Sequence, residues 1–222
     1  MRHPDSLNVS EPGRKENPEQ EYSKRLPSHL ASDFGPPGLQ SPASVSELKI
    51  RAEHVKCRSL SQRELDYFRL RGVDALTLAT PWPMRADRVQ FDGTGFFDFA
   101  RNTDSGNAAP AFVIGVLGDG GLIDLCAWQL ETDRTALWLG RGFALGETQL
   151  AFRPHEPLPV WRTPLAWLRA NRVGIVILNV SAAWSRLADL PILAEDIQHG
   201  NSLEKLLKPP RPLPTIFVRR TT

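Results

Sequence analysis

The strongest helical pattern in the chain lies between Ser61 and Gly72. Ser61 and Glu64 have the spacing of a capping box, in which each side chain satisfies a free backbone N–H of the other residue at the start of a helix. Apolar residues then recur on one face, and Gly72 can adopt the left-handed conformation that ends a helix. The pattern predicts an amphipathic helix over residues 62–71. Residues 48–52 alternate apolar and polar positions, which is compatible with a short strand, and a helix is the competing interpretation.

A β-rich pattern follows this helix. Runs of β-branched and aromatic residues predict strands at residues 89–91, 96–99 and 111–116. Asp119, Gly120 and Gly121 separate two apolar runs. Because glycine permits the positive φ of a tight turn, these residues predict a β-hairpin.

Strand-like and helix-like runs alternate after Pro157. The predicted strands are residues 158–161, 173–178, 192–194 and 215–218, and the predicted helices are residues 164–171, 182–188 and 202–208. Such alternation implies a parallel sheet with helices against it. The expected fold class is α/β (α+β overall), with a helix and β-rich subdomain over residues 46–157 and a small parallel-sheet subdomain over residues 158–222.

Composition adds a tail and a compartment to this picture. Residues 1–45 contain seven prolines and few apolar residues, so they cannot bury enough surface to offset their ordering entropy and are predicted to be disordered. The formal net charge of +2 is too small to attract nucleic acid through a whole-molecule field. Cys57 and Cys126 share no metal-ligand spacing and are interpreted as reduced, buried residues. No signal peptide and no membrane span are recognised, so a cytoplasmic protein is expected.

Polar residues follow three of the predicted parallel strands, where α/β sheets bind their ligands. These candidate binding residues are Arg162, Thr163, Asn179, Ser181, Glu195 and Asp196. Glu195 and Asp196 are able to hold Mg²⁺ through carboxylate oxygens. The favoured interpretation is instead a solvated strand end beside a helix N-terminus, where acidic residues are stabilised.

Three further motifs have structural interpretations. His155 and His199 are isolated and predicted to be surface histidines. Residues 202–205 match the S-x-x-K pattern of penicillin-binding enzymes but are interpreted as the opening of a short amphipathic helix. The proline-rich residues 209–214 are interpreted as a stiff connector rather than a polyproline ligand.

Taken in order, these segments resemble the core of primase-like proteins of phage or plasmid type. Residues 64–73 resemble the "YL-x-x-RG" helix that begins that core, and residues 110–122 with residues 139–146 resemble the β-rich hairpin that follows it. The family continues with a toprim domain, a small parallel α/β fold, which corresponds to the pattern of residues 158–222. The resemblance spans about residues 59–208.

The catalytic positions of that family are degenerate in this chain. A working toprim domain has a glutamate after its first strand and a D-x-D motif after a later one, which together hold metal ions. Arg162 stands at the glutamate position, and the D-x-D position holds either residues 179–181 (Asn-Val-Ser) or residues 196–198 (Asp-Ile-Gln). The resemblance therefore implies no catalytic residue, no metal ligand, no cofactor and no primase activity.

Three functions remain open from the sequence. The preferred one is a non-catalytic primase-like protein that binds DNA, RNA, a nucleotide or a replication protein through the strand-end residues. The second is a nuclease or nucleotide hydrolase that uses Mg²⁺ at Glu195 and Asp196. The third is a protein-interaction module without a nucleic-acid role.

Overall fold

Two β-sheets organise the part of the chain that the computed structural model describes, residues 45–101, 106–151 and 156–208. The helices are α1 (Val45–Lys56), α2 (Gln62–Leu70), α3 (Ala75–Ala79), α4 (Pro164–Arg169), α5 (Ala183–Leu187) and α6 (Ile197–Leu206). The strands are β1 (Arg58–Ser59), β2 (Arg85–Phe91), β3 (Phe97–Phe99), β4 (Ala109–Gly118), β5 (Gly121–Gln129), β6 (Arg134–Leu137), β7 (Ala144–Leu145), β8 (Leu158–Trp161), β9 (Ile175–Ile177) and β10 (Ile192–Leu193). Two 3₁₀ helices cover Glu147–Ala151 and Val180–Ala182.

The first sheet is antiparallel throughout and has the order β1-β2-β4-β5-β6, with β3 paired to β2. The predicted hairpin is confirmed as β4 and β5, and Gly121 has the positive φ of 108° that its turn requires. Phe68 of α2 packs against Phe112 of β4 and Trp128 of β5, and the centroids of the three rings lie 5.0 to 6.1 Å apart. These rings belong to a buried apolar cluster that extends to Val176 of β9, so the two sheets share part of one core.

The helix predicted after Ser61 is confirmed as α2. Glu64 N donates to the Ser61 hydroxyl, and Ser61 N donates to the Glu64 carboxylate at 2.7 Å, which completes the capping box. At residues 48–52 the helix interpretation is confirmed and the strand interpretation is wrong, since these residues lie within α1. Glu47 and His54 of α1 are buried together with Ile50, so the inward face of this helix is partly polar and its period is hidden in the sequence.

The second sheet is mixed, whereas the sequence predicted a purely parallel one. Its order is β10-β8-β9-β7, in which β10, β8 and β9 are parallel and β7 runs antiparallel to β9. β7 has only two residues and lies upstream of the predicted boundary at residue 157, too short a segment to be recognised from its pattern. The predicted strand at residues 215–218, the connector at 209–214 and His155 lie outside the described residues, as does the predicted disordered segment up to residue 44.

The last helix begins earlier than predicted. α6 starts at Ile197, and Asp196 is its N-cap, so the S-x-x-K residues lie inside the helix rather than at its start. Gly200 and Asn201 are weak helix formers and conceal the first turn in the sequence. Cys57 and Cys126 are both buried free thiols, as predicted. Within the described ranges, no helix has the length and apolar character needed to cross a membrane.

Candidate functional site

The carboxyl ends of the parallel strands bring three of the predicted site residues together. Arg162 follows β8, and Glu195 and Asp196 follow β10, which is paired with β8 in parallel. The guanidinium of Arg162 donates from Nη1 to Asp196 Oδ2 and from Nη2 to Asp196 Oδ1, both at 2.7 Å. Nη1 also donates to Glu195 Oε2 at 3.1 Å, and the backbone N–H of Arg162 donates to Glu195 Oε1 at 2.7 Å. We call these three residues the strand-end cluster.

The strand-end cluster stabilises its charged forms. The hydrogen bonds from Arg162, and then the backbone N–H of His199, hold the pKa of Asp196 well below its usual range. The hydrogen bond to Asp196 raises the pKa of Arg162 in turn. The side chains are 38% (Arg162), 21% (Glu195) and 52% (Asp196) exposed, so solvent screens the pairing and its contribution to stability is modest.

His199 forms the inner side of the cluster. The prediction that it is a surface histidine is wrong, since only 6% of the residue is exposed. The backbone N–H of Glu195 donates to its Nδ1 at 3.2 Å, so the neutral ring carries its proton on Nε2. Burial, and then the charge of Arg162, lowers the pKa of His199 and favours this neutral form.

The other predicted site residues do not join the cluster. Thr163 is the N-cap of α4, where its hydroxyl accepts from Ala166 N at 3.2 Å. Ser181 donates to Asn179 Oδ1 at 2.7 Å, which makes a separate polar pair after β9. Among the described residues, no hydrogen bond connects that pair with the carboxylates.

An open cleft of about 270 Å³ adjoins the cluster. It is lined by Val160, Trp161, Arg162, Ile177, Val180, His199, Ser202, Leu203 and Leu206. Its walls are thus mainly apolar, with Arg162, His199 and Ser202 as the polar groups. An apolar cleft with a few polar groups is typical of a small-ligand site, and this one lies where parallel sheets bind ligands. We call it the strand-end cleft.

The sequence missed His199 and Ser202 as cleft residues. Both lie on α6, and a helix start placed at residue 202 hid the fact that they share one helix. The available signal was Asp196, a favourable N-cap residue placed directly before them.

The residues present do not fit a magnesium ion. Mg²⁺ needs free carboxylate oxygens in octahedral geometry, and here both carboxylates already accept from Arg162. Across residues 45–101, 106–151 and 156–208, no group of three or more His, Cys, Asp or Glu side chains is placed to hold a metal. The arginine at this position also repels a cation directly.

Comparisons with models of protein families, with curated proteins and with solved structures give no match to this chain. The functional argument therefore depends on the geometry of the cluster and the cleft. The primase resemblance stays an expectation from sequence order.

Proposed function

We propose that this chain is a primase-like protein with a degenerate toprim domain, which binds its ligand without catalysing a reaction. The observation that carries the proposal is the bidentate pairing of Arg162 with Asp196, with Glu195 as a third member. In the family that the sequence resembles, a metal-binding glutamate stands where Arg162 stands here. An internal arginine that pairs with both carboxylates takes the place of a metal ion and leaves no Lewis acid for phosphoryl transfer.

The order of the elements also supports the proposal. A capped helix, α2, is followed by the β4–β5 hairpin and then by three parallel strands with helices between them. This order is compatible with the one that the resemblance implies, in which β8, β9 and β10 would correspond to the toprim part. The antiparallel β7 adds an edge strand, which leaves the carboxyl ends of the parallel strands open.

The proposed ligand is a nucleotide or a single-stranded nucleic acid, bound in the strand-end cleft. A volume of about 270 Å³ is close to the lower limit of small-molecule sites and suits one nucleoside unit. Trp161 lies in the wall and offers an aromatic surface to a base. Arg162, Glu195 and Asp196 together carry one positive and two negative charges. We therefore expect contacts to the base rather than to phosphates to dominate binding.

Fluorescence anisotropy of the full chain tests this proposal. Labelled single- and double-stranded DNA and RNA are titrated at several salt concentrations, with and without Mg²⁺. We expect single strands to bind better than duplexes, with a shallow salt dependence because few phosphates are neutralised, and without a Mg²⁺ requirement.

A matched pair of variants locates the ligand. Val180→Trp fills part of the strand-end cleft from a side chain that is 58% exposed, and it should weaken binding. Val55→Trp on α1 makes the same change at a residue that is 62% exposed, and it should leave binding unchanged. Equal effects of the two variants would place the ligand elsewhere. Primer synthesis or strand cleavage that requires Mg²⁺, and that Glu195→Gln abolishes, would contradict the non-catalytic assignment.

A protein partner is the second candidate, and one observation favours it. Leu193 and Ile197, two large apolar residues near the carboxyl end of β10, are 55% and 85% exposed, and exposed apolar side chains close together suit a protein contact. A replication protein that covers these side chains would bury both. If no nucleic acid binds at low salt, this alternative would be supported by a replication protein that co-purifies with the wild-type chain but not with the Ile197→Asp variant.

A further inference from the structure

A second cleft lies between the first sheet and the turn that joins α4 to β9. Its volume is about 170 Å³, and Leu117 of β4, Thr148 of the 3₁₀ helix, Trp167 of α4 and Arg172 of the turn are among its lining residues. It shares no lining residue with the strand-end cleft. Its lining residues therefore need an explanation separate from the proposed function.

Arg172 is the unusual group in this cleft. Within the described part of the chain it forms no ion pair, whereas Arg162, Arg101 and Arg186 each pair with carboxylates. Its side chain donates a hydrogen bond from Nη2 to Trp82 O at 3.3 Å. Its Nε is buried and has no hydrogen-bond partner among the described residues. Burial lowers the pKa of Arg172 to about 10, and no neighbouring charge compensates for that burial.

The surroundings of the guanidinium stabilise a cation but provide no anionic partner among the described residues. It lies over the ring of Trp167 at 5.3 Å from the centroid, a contact that stabilises a cation but satisfies none of its N–H groups. Arginines that are removed from water are ordinarily paired with an acidic group, because a buried charge is costly to leave alone. A bound oxyanion would supply the missing charge and would accept from the Nη groups of this cleft-lining residue.

The backbone holds Arg172 in place at some cost. Asn171 and Arg172 are consecutive non-glycine residues with φ of 52° and 61°, a region that such residues seldom occupy. Gln149 secures this turn, since its Nε2 donates to Arg172 O at 2.7 Å and its Oε1 accepts from Gly174 N at 2.8 Å. Backbone strain that the surroundings maintain is concentrated at functional sites.

We propose that Arg172 anchors a small oxyanion, the phosphate or carboxylate group of a ligand, in this cleft. The planar guanidinium carries its two Nη groups in a fork that matches either group. The hydroxyl of Thr148, which also lines the cleft and has no hydrogen-bond partner among the described residues, supplies a further donor. The small volume selects a compact ligand and excludes a nucleic-acid strand.

Isothermal titration calorimetry of the full chain with inorganic phosphate, and separately with acetate, tests the proposal. We expect saturable binding of at least one anion, and the stronger of the two identifies the ligand class. Arg172→Gln should weaken that binding by about ten- to a hundredfold, as expected for the loss of hydrogen bonds to a charged group. Arg172→Lys should be intermediate, since it keeps the charge but loses the fork.

Arg169→Gln is the matched control. Arg169 is an exposed residue of α4 that does not line the cleft, so the variant removes the same charge and should leave anion affinity unchanged within about twofold. Thermal unfolding without added anion separates a binding role from a structural one. A binding role is indicated when Arg172→Gln unfolds at the same temperature as the wild type or a higher one, because a partly buried cation without an ion pair has been removed.

Three results would overturn the proposal. They are the absence of saturable binding of either anion, an equal loss of affinity in Arg169→Gln and Arg172→Gln, and a sharply lowered unfolding temperature of Arg172→Gln with unchanged anion affinity. Should Arg172→Gln fail to fold, the anion affinity of Thr148→Val tests the proposal instead. That variant changes the hydroxyl of a cleft-lining residue to a methyl group of similar size, and unchanged anion affinity would then count against the site.

Discussion

Asp124 in the first sheet and Asp196 after the second both organise a turn, but their surroundings are opposite. Asp124 is fully buried, and its carboxylate accepts from the backbone N–H groups of Leu139 at 2.9 Å, Arg141 at 2.7 Å and Gly142 at 3.3 Å. Asp196 has a half-exposed side chain and is held by an arginine. The carboxylate of Asp124 is stabilised by fixed backbone N–H groups, and that of Asp196 by a partly exposed arginine side chain.

This difference indicates that Asp124 has a structural role and that the strand-end cluster is available to a ligand. The carboxylate of Asp124 is fully occupied in fixing the loop that leads from β6 to β7, so it has no capacity for a ligand. The strand-end cluster contributes little to stability because water screens it, and it remains accessible from the adjoining cleft. We therefore expect substitutions in the first region to alter folding and substitutions in the second to alter binding.

The largest effect is expected from Asp124→Ala. Loss of the carboxylate leaves several backbone N–H groups buried without an acceptor, which should lower the free energy of unfolding by roughly 3–5 kcal/mol. Urea denaturation followed by tryptophan fluorescence measures the change. Asp98→Ala, at an exposed position of β3, is the control and should have little effect. Similar losses from both variants would mean that Asp124 does not anchor the loop.

The second prediction concerns the loss of stability at acidic pH. Glu64 of α2 packs near the first sheet rather than the second, but its carboxylate accepts from an arginine, Arg58, as that of Asp196 accepts from Arg162. Hydrogen bonds from Arg58, and then from Ser61, lower the pKa of Glu64 from 4.5 to about 2. A carboxylate with a depressed pKa stabilises the fold above its unfolded pKa, and this stabilisation is lost as the pH falls from about 4.5 towards 2.

Unfolding at pH 5, 4 and 3 checks that prediction. The wild type should lose stability more steeply over this interval than Glu64→Gln, which has already lost the pairing. Glu131→Gln, an exposed residue of the same region, should follow the wild type. A Glu64→Gln profile parallel to that of the wild type would show that Arg58 contributes nothing through this carboxylate.

Elements with local signals could be predicted from the sequence, and contacts between distant segments could not. The capping box at Ser61 and the glycines of the β4–β5 turn each fix an element within a few residues, and both are confirmed. α1 was obscured because its buried face includes Glu47 and His54, whose burial depends on tertiary partners. β7 was missed because two residues carry no period.

The candidate site shows the same division. Strand order correctly placed Arg162, Glu195 and Asp196 at one edge, since the carboxyl ends of parallel strands meet there. The ion pair itself was not predicted, although opposite charges at neighbouring strand ends were a usable signal. Arg172 gave no signal at all, because its isolation from acidic groups is a property of the folded chain.

Thr163→Ala distinguishes a structural residue from a binding residue at the same strand end. Its hydroxyl caps α4, so the variant should lower the free energy of unfolding by about 1 kcal/mol. Thr163→Ser should restore most of the loss because serine caps equally well. Oligonucleotide affinity should be unchanged in both variants. A loss of affinity in the alanine variant that serine restores would instead place the hydroxyl in the binding site.

The smallest effect on stability, and the sharpest test of the comparison, is expected from Arg162→Glu. This change removes the cation of an exposed cluster and adds a third carboxylate beside Glu195 and Asp196. The variant should unfold at a slightly lower temperature than the wild type in EDTA, because three like charges repel one another. Millimolar Mg²⁺ should reverse that shift in the variant and leave the wild type unchanged, since free carboxylates are the ligands that Mg²⁺ prefers. Arg186→Glu, which creates a carboxylate next to Glu147, is the control for a non-specific response to the cation. A Mg²⁺ response in the wild type, or an equal response in the control, would mean that Arg162 does not take the place of a metal ion.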